Sequence, residues 1–456
     1  IMTMFPDQPG RRMGRGAVWG QRGQRVSAMF RRTASAWRSR RRWCIVVRFA
    51  VRIFQPLAHP PLAALWGALT LVELGAHIGN FALIWLAVQL IGDAAAYLQS
   101  LQFAAVICGA ALGGFLFDER DPRTVLIGAY VVRASAAMCP LLATWVTGSP
   151  LIGLVIASIG LALAQAQAEP AAQASLTIST REGPQRQAAN ALIFATTRVA
   201  RLIGRGVPGM LTVVIPVLHL FTLNAAFIAL AALLLMTLPR APVSDRSGSS
   251  PLRGVFAGAR HMLADRELRI LMVATSVSFA IWPIVVSLGP ALIVHAREAS
   301  WLGLPPAACY SLLLAAYGAG NLFAVGSRGV SPSPAFVFAG QAVFGFGAIV
   351  MGLAGGLVAD AWLVPTMLGA IFVAGIGAPA LDLRVSNLIQ SSGPIAVVSA
   401  LARVRMVVGW GSMCLSTLSA PSLFGQFGVA SCVAASGVAS IALAGWAHRR
   451  LRKTAG

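Results

Sequence analysis

Glu73 and His77 stand four residues apart in an apolar run, with Asn80 close to one turn further on. On a helix all three share a face. A carboxylate and an imidazole so placed can both exchange a proton near neutral pH in a suitable environment. Glu73 is the candidate proton carrier and His77 its modulator. The competing reading is a self-satisfied hydrogen-bonded pair that serves helix packing. A second constellation, "NALIFATTRVARLIGRGVPGM", sets Arg198, Arg201 and Arg205 at i, i+3 and i+7, one helical stripe. Three guanidiniums on one face cannot comfortably meet lipid. They either line a cavity as a cationic wall for an anionic or carboxylate-bearing ligand, with Asn80 a further contact, or they pair with acids. Glu169, the nearest acid by chain order, is a third proton-coupling candidate. A third stretch, "GGFLFDERDPRTVL", is charged at five of the six positions from Asp118 to Arg123. It reads as a turn that leaves an apolar medium and re-enters it.

The elements that must position these residues follow from composition. The chain has 456 residues, 57% of them hydrophobic and only 11% charged, with a mean hydropathy of +0.75. That is more apolar surface than a soluble core of this length could bury, so bilayer lipid is the sink. A spanning helix needs about 20 apolar residues, and such runs lie near 60–90, 95–117, 124–146, 150–178, 187–211, 218–238, 268–294, 304–326, 333–356, 361–388, 396–420 and 426–447. The fold class is therefore an all-α polytopic membrane protein with twelve transmembrane helices. Its 36 basic residues outnumber 14 acidic ones, for a net charge of +22. Their placement in short loops is that of cytoplasmic segments that retain positive charge, which removes the case for a nucleic-acid partner. Threading from a cytoplasmic N-terminus leaves Arg297 as the one basic residue in the outer loops and puts both termini inside.

The longest inner loop, Arg240 to Arg269, divides the helices six and six. The expected organisation is a basic N-terminal extension over 1–58, a six-helix bundle over 59–239, a linker with a membrane-surface helix over 240–267, a second bundle over 268–447 and a basic tail over 448–456. The two halves echo one another: "EPAAQASLTISTREGPQRQAANAL" and "APALDLRVSNLIQSSGPIAVVSAL" share a proline, a later Gly-Pro and a closing Ala-Leu. Two parallel six-helix bundles leave such a repeat. The first 55 residues are basic, poor in acids and too polar for a core, so they are expected to be disordered or bound to anionic lipid. They lack the uncharged apolar stretch of a signal peptide, and an overextended gene start, with Met29 nearer the first helix, fits them. Six scattered cysteines imply neither a disulfide framework nor a zinc site. No metal or cofactor is expected.

The stretch Gly114-Phe-Leu-Phe-Asp118-Glu-Arg-Asp-Pro-Arg123 resembles the loop between the second and third helices of the major facilitator superfamily. The resemblance implies two pseudo-symmetric six-helix bundles and a gate latch made by Gly114, Asp118 and Arg123. Glu119 and Asp121-Pro122 depart from that pattern, as does Arg205, which stands where exporters of this family show a helix-bending proline. "GNFALIWLAVQLIG", "QAANAL", "LFTLNAAFIALAALLL" and "LAAYGAGNLF" lie in the order and spacing of similar strings in the bacterial enterobactin-exporter branch. What this implies is secondary active transport: proton-coupled efflux of a siderophore, drug or secondary metabolite, by a monomer in the bacterial inner membrane. An importer of an anionic small molecule and a non-transporting receptor or scaffold are the alternatives. No enzyme is expected, since Gly-x-Ser-x-Gly, His-Glu-x-x-His and a phosphate-cradling Gly-Lys-Ser/Thr are all missing from the sequence. Among smaller features, Arg133 is expected to be buried against a neighbouring helix, Gly109 and Gly113 to pack helices closely, and Asp382 to pair with Arg384. Arg403 and Arg405 are expected to repeat the arginine stripe. The tryptophans Trp66, Trp85, Trp145, Trp282 and Trp301 read as interfacial anchors, packing or ligand contacts.

Overall fold

The computed structural model describes residues 55–116, 120–180, 184–239, 251–327, 334–392 and 395–452. The chain divides into a unit ending at Ala58 and one running from His59 to Gly456. The first is described only over its closing turn, Gln55–Ala58. The second is built of helices: α1 Pro60–Ile91, α2 Ala95–Leu116, α3 Pro122–Thr147, α4 Leu151–Ser179, α5 Pro184–Leu211, α6 His219–Leu235, α7 Pro251–Ala264, α8 Arg266–Trp282, α9 Gly289–Ala296, α10 Pro306–Ser327, α11 Pro334–Leu357, α12 Asp360–Gly377, α13 Pro379–Gln390, α14 Ile395–Phe427 and α15 Val429–Arg452. Each of the twelve apolar runs is helical over its described residues. Two of them are interrupted: a π-helical turn, Pro283–Leu288, joins α8 to α9, and Pro379 separates α12 from α13.

Among the described residues nine segments are long and apolar enough to cross a membrane, the first of which, Pro60–Ala110, contains two helices. Helix α5 is not among the nine because its arginines lower its hydropathy. Helix α15 carries on through His448, Arg449 and Arg450 to Arg452 instead of ending near 447. Basic side chains in a last helical turn are favoured by the helix dipole, which accounts for the extra turn.

Helices α1 to α6 pack as one bundle and α8 to α15 as another. The linker helix α7 lies against α14, where Gly258 leaves no room for a Cβ beside the backbone of Ala400. The bundles meet through α5 and α10, α2 and α14, and α1 and α9. Where they meet is set by the distribution of apolar residues. The largest core cluster joins the ends of α1 and α9 to the start of α10, mixing residues of both bundles. A second cluster, from Leu65 to Leu238, belongs to the first bundle alone, and a third, from Leu268 to Ala447, to the second alone. Those two cores lie toward the face where α1 begins and α15 ends, here termed the terminal face. The bundles are thus welded at the far face and separate at the terminal face.

The weld is aromatic and polar together. Tyr310 on α10 stacks on Phe81 and on Trp85 of α1, at centroid distances of 5.4 and 5.6 Å, and His295 meets Trp85 edge-on at 5.9 Å. Gln99 donates to Ser287 Oγ (2.8 Å) and Ser100 to Thr417 Oγ1 (2.8 Å), both across the bundles. At the kink of α5, the Ser311 hydroxyl of α10 donates to the Arg205 carbonyl (2.6 Å) and accepts from the Gly209 N–H (3.1 Å). A side chain on Gly209 would run into Ala307 and Ala308, so the glycine is what lets α5 and α10 approach.

Candidate functional site

Helix α1 presents Glu73, His77 and Asn80 to one cavity, as their spacing requires. Helix α5 presents Arg201 and Arg205 to that cavity and, with Arg198, to a neighbouring one. The two lobes measure about 420 and 310 Å³. They share Arg201, Arg205, Phe279 and Trp282, and so form one space between the bundles. A further lobe of about 570 Å³, bounded by Glu169, Gln390, Val398 and Arg405, leads toward the terminal face.

The arginine stripe both lines the cavity and pairs. Arg201 Nε lies 2.5 Å from Glu73 Oε1, and His77 Nε2 lies 3.4 Å from the same oxygen. One carboxylate oxygen therefore serves a cation from α5 and an imidazole from its own helix. Glu73 is 24% exposed and Arg201 53% exposed, which leaves the guanidinium facing the open cavity with the acid behind it. Glu169, the acid expected by chain order, accepts instead from Gln165 (3.4 Å) and stands exposed on the cavity wall. Chain order misled because α5 packs along α1 and makes little contact with α4.

Both interruptions of the spanning helices border this space. Trp282 precedes the π-helical turn and donates to the Tyr317 hydroxyl (3.0 Å), and Pro379 begins α13 beside Asp382. Irregular backbone at membrane depth is tolerated where it lines a cavity. The expected Asp382–Arg384 pair is not formed. Asp382 bonds Arg405 of α14, and Arg384 reaches Glu267 of α8 at 2.6 Å. Residues two apart on a helix point to different sides, so each finds its partner on another element. Arg405 also donates to Ser386 Oγ (2.7 Å).

Of the latch residues, Asp118 lies outside the described residues and Gly114 falls in the last turn of α2. Arg123 donates to the carbonyls of Leu235 (3.2 Å) and Met236 (2.5 Å) at the end of α6, where helix carbonyls lack intrahelical partners. Asp121 caps α3, accepting from the Arg123 N–H and the Thr124 hydroxyl. Gly109 packs closely against Leu163 and Ala166 of α4. The tryptophans separate by role. Trp145 is 86% exposed at a helix end, as an interfacial anchor should be. Trp66 bonds Thr196, Trp85 and Trp301 pack at the weld, and Trp282 lines the cavity.

Two contributors escaped sequence reasoning and a third was read only in part. Phe279 joins the two lobes, Tyr310 makes the weld, and Arg133, buried as expected, also borders the cavity. Phe279 and Tyr310 are ordinary members of apolar runs and carried no signal. Arg133 did, as a lone cation in an apolar run.

Comparison with known proteins places the arrangement. The sequence model of the Major Facilitator Superfamily matches residues 65–335. Among solved structures, the nucleoside transporter NupG superposes with a TM-score of 0.68 at 14% identity, over 86% of this chain and 98% of that one. The POT family transporter PepTSo gives 0.67 at 11% identity, over 87% and 98%. A POT family transporter in complex with 5-aminolevulinic acid gives 0.65 at 13% identity, over 84% and 94%. Likeness at such identities is a likeness of fold. No curated protein matches the chain.

Proposed function

The chain belongs to the Major Facilitator Superfamily, and from that premise we propose that it is a secondary exporter, driving a small acidic molecule outward by alternating access in exchange for inward protons. The observation that carries this reading is a cavity lined by both bundles, with a weld on one side of it and separate cores on the other. Rocking the bundles about the cavity would break the weld and close the terminal face, so the contents would be exposed to each side in turn. The terminal face is the cytoplasmic one in this reading, with both termini inside the bacterial inner membrane and the monomer as the working unit.

Glu73 is the proton carrier. It shares one oxygen between Arg201 and His77, so protonating it weakens both pairs. Proton uptake thus loosens the contact between α1 and α5 on the cavity wall, which ties the coupling proton to the arrangement of the helices that line the cavity. Asn80, Arg198 and Arg205 complete the substrate wall, and Glu169 offers the proton a second station at the mouth. Asp118, with Gly114 and Arg123, latches the inner gate by resemblance to the family loop. The ordered strings similar to the enterobactin-exporter branch support outward transport of a siderophore, drug or secondary metabolite.

The test is transport by the full chain in proteoliposomes with an imposed proton gradient, using a panel of labelled acidic siderophores and drugs. Exchange against protons is the expected result. Movement of substrate with the proton instead of against it would make the chain an importer. Retention of full transport when Glu73 and Asp118 are both replaced by amides would remove the proposed coupling and latch together.

A further inference from the structure

Arg133 reaches the cavity from α3, a helix that carries none of the residues assigned to coupling or binding above. It is 5% exposed, and its Nε has no hydrogen-bond partner among the described residues. The carboxylates that border the same lobe are engaged elsewhere, Glu73 with Arg201 and His77 and Glu169 with Gln165. A buried guanidinium with an unsatisfied N–H is costly in a low-dielectric interior. A fold retains one where something occupies it for part of the working cycle. The rest of the lobe is built for a polar guest: Gln99, Gln102 and Asn80 stand around the same space.

We propose that Arg133 is a second anion-binding subsite, at the end of the cavity inside the first bundle, and that the transported molecule carries two acidic groups. One would meet Arg133 and the other the stripe of Arg198, Arg201 and Arg205. This rests on the acidic-substrate reading given above and narrows it. The lobes of about 310 and 420 Å³ open into one another, giving room typical of a drug-sized ligand. At their junction stand Phe279 and Trp282, so the stretch between the acidic groups is apolar or aromatic. A guanidinium presents a planar fork that takes a carboxylate in two parallel hydrogen bonds, and such recognition of each end fixes the length of the guest.

The experiment measures binding to the purified full chain in nanodiscs, by calorimetry. Three rigid diacids of rising length, terephthalate, biphenyl dicarboxylate and stilbene dicarboxylate, are each compared with their own monomethyl ester. At the matching length the diacid should bind the parent roughly 10- to 100-fold more tightly than its half-ester, as a hydrogen-bonded charge contributes. Arg133→Gln should bring the diacid to the affinity of its half-ester, and Arg133→Lys should keep part of the preference. Equal binding of diacid and half-ester to the parent at every length overturns the second subsite while leaving the acidic-substrate reading standing. A preference that survives Arg133→Gln overturns the assignment to Arg133, and so does a preference lost equally in Arg133→Lys and in Tyr97→Phe, a control at an exposed position of α2 outside the cavity lining. If none of the six compounds binds, the acidic-substrate reading falls as well. Should Arg133→Gln not fold, the parent ratio and Arg133→Lys decide.

Discussion

At the scale of single residues, the informative group is the Glu73 carboxylate, because one of its oxygens is claimed twice. Glu73→Gln keeps the size and removes the charge that holds Arg201 at 2.5 Å. Uphill transport driven by a proton gradient should disappear while downhill exchange persists. Accumulation equal to the parent's would move the role of carrier to His77 or Glu169. Arg201→Ala should behave differently, weakening the binding of acidic substrates with or without a gradient. Its stability cost is modest, since Arg201 is half exposed and exposed ion pairs contribute about 0–1 kcal/mol. A loss of binding in that variant without loss of folded protein is therefore the expected result, measured by ligand affinity alongside thermal unfolding.

Among the elements, α1 and α10 decide which face is shut. Tyr310 is fully buried, stacks on both Phe81 and Trp85, and donates to the Ser287 carbonyl (3.2 Å). Truncating a buried aromatic costs about 3–5 kcal/mol, and here the cost falls on the state that contains the weld. Tyr310→Ala should shift the population toward opening of the far face. The neighbouring Cys309 is itself fully buried, so its labelling by a membrane-impermeant maleimide, followed by mass spectrometry, reports the change from within the native sequence. Faster labelling of Cys309 is expected. An unchanged rate in folded protein would place the outer barrier elsewhere.

The whole molecule is two bundles whose largest core is shared and whose next two in size are each private to one bundle. Packed interfaces rearrange between discrete arrangements more readily than they deform, so a change at the weld must be answered at the other end. Thr177, near the end of α4, and Gln390, at the end of α13, stand at the terminal ends of the two bundles. Spin labels there, in a background without native cysteines, should report two distance populations, with ligand or Tyr310→Ala favouring the shorter. A single distance under all conditions would argue for a rigid receptor rather than a carrier. Reporter fusions at the terminal face should give cytoplasmic signals, since that face collects Arg260, His261, Arg266, Arg269 and the closing arginines of α15.

What the sequence determined by itself was local and additive. Hydropathy located the apolar runs, which are helical over their described residues, because lipid burial depends on composition along a run and not on its neighbours. Spacing alone put Glu73, His77 and Asn80 on one face and Arg198, Arg201 and Arg205 on another, because helical periodicity is fixed by backbone geometry. Partners were another matter. Glu73 rather than Glu169 meets Arg201, Asp382 takes Arg405 rather than Arg384, and Arg133 stands on the cavity wall without a partner for its Nε among the described residues. Each of these depends on how helices far apart in the chain are rotated and kinked against one another, at Pro208, Pro283 and Pro379 above all. Rotation and kink are set by packing across the whole bundle, where contributions such as Ser311 at the Arg205 carbonyl carry no sequence pattern of their own. Only the tertiary structure, by closing those contacts together, decided which charges face each other and which face the cavity.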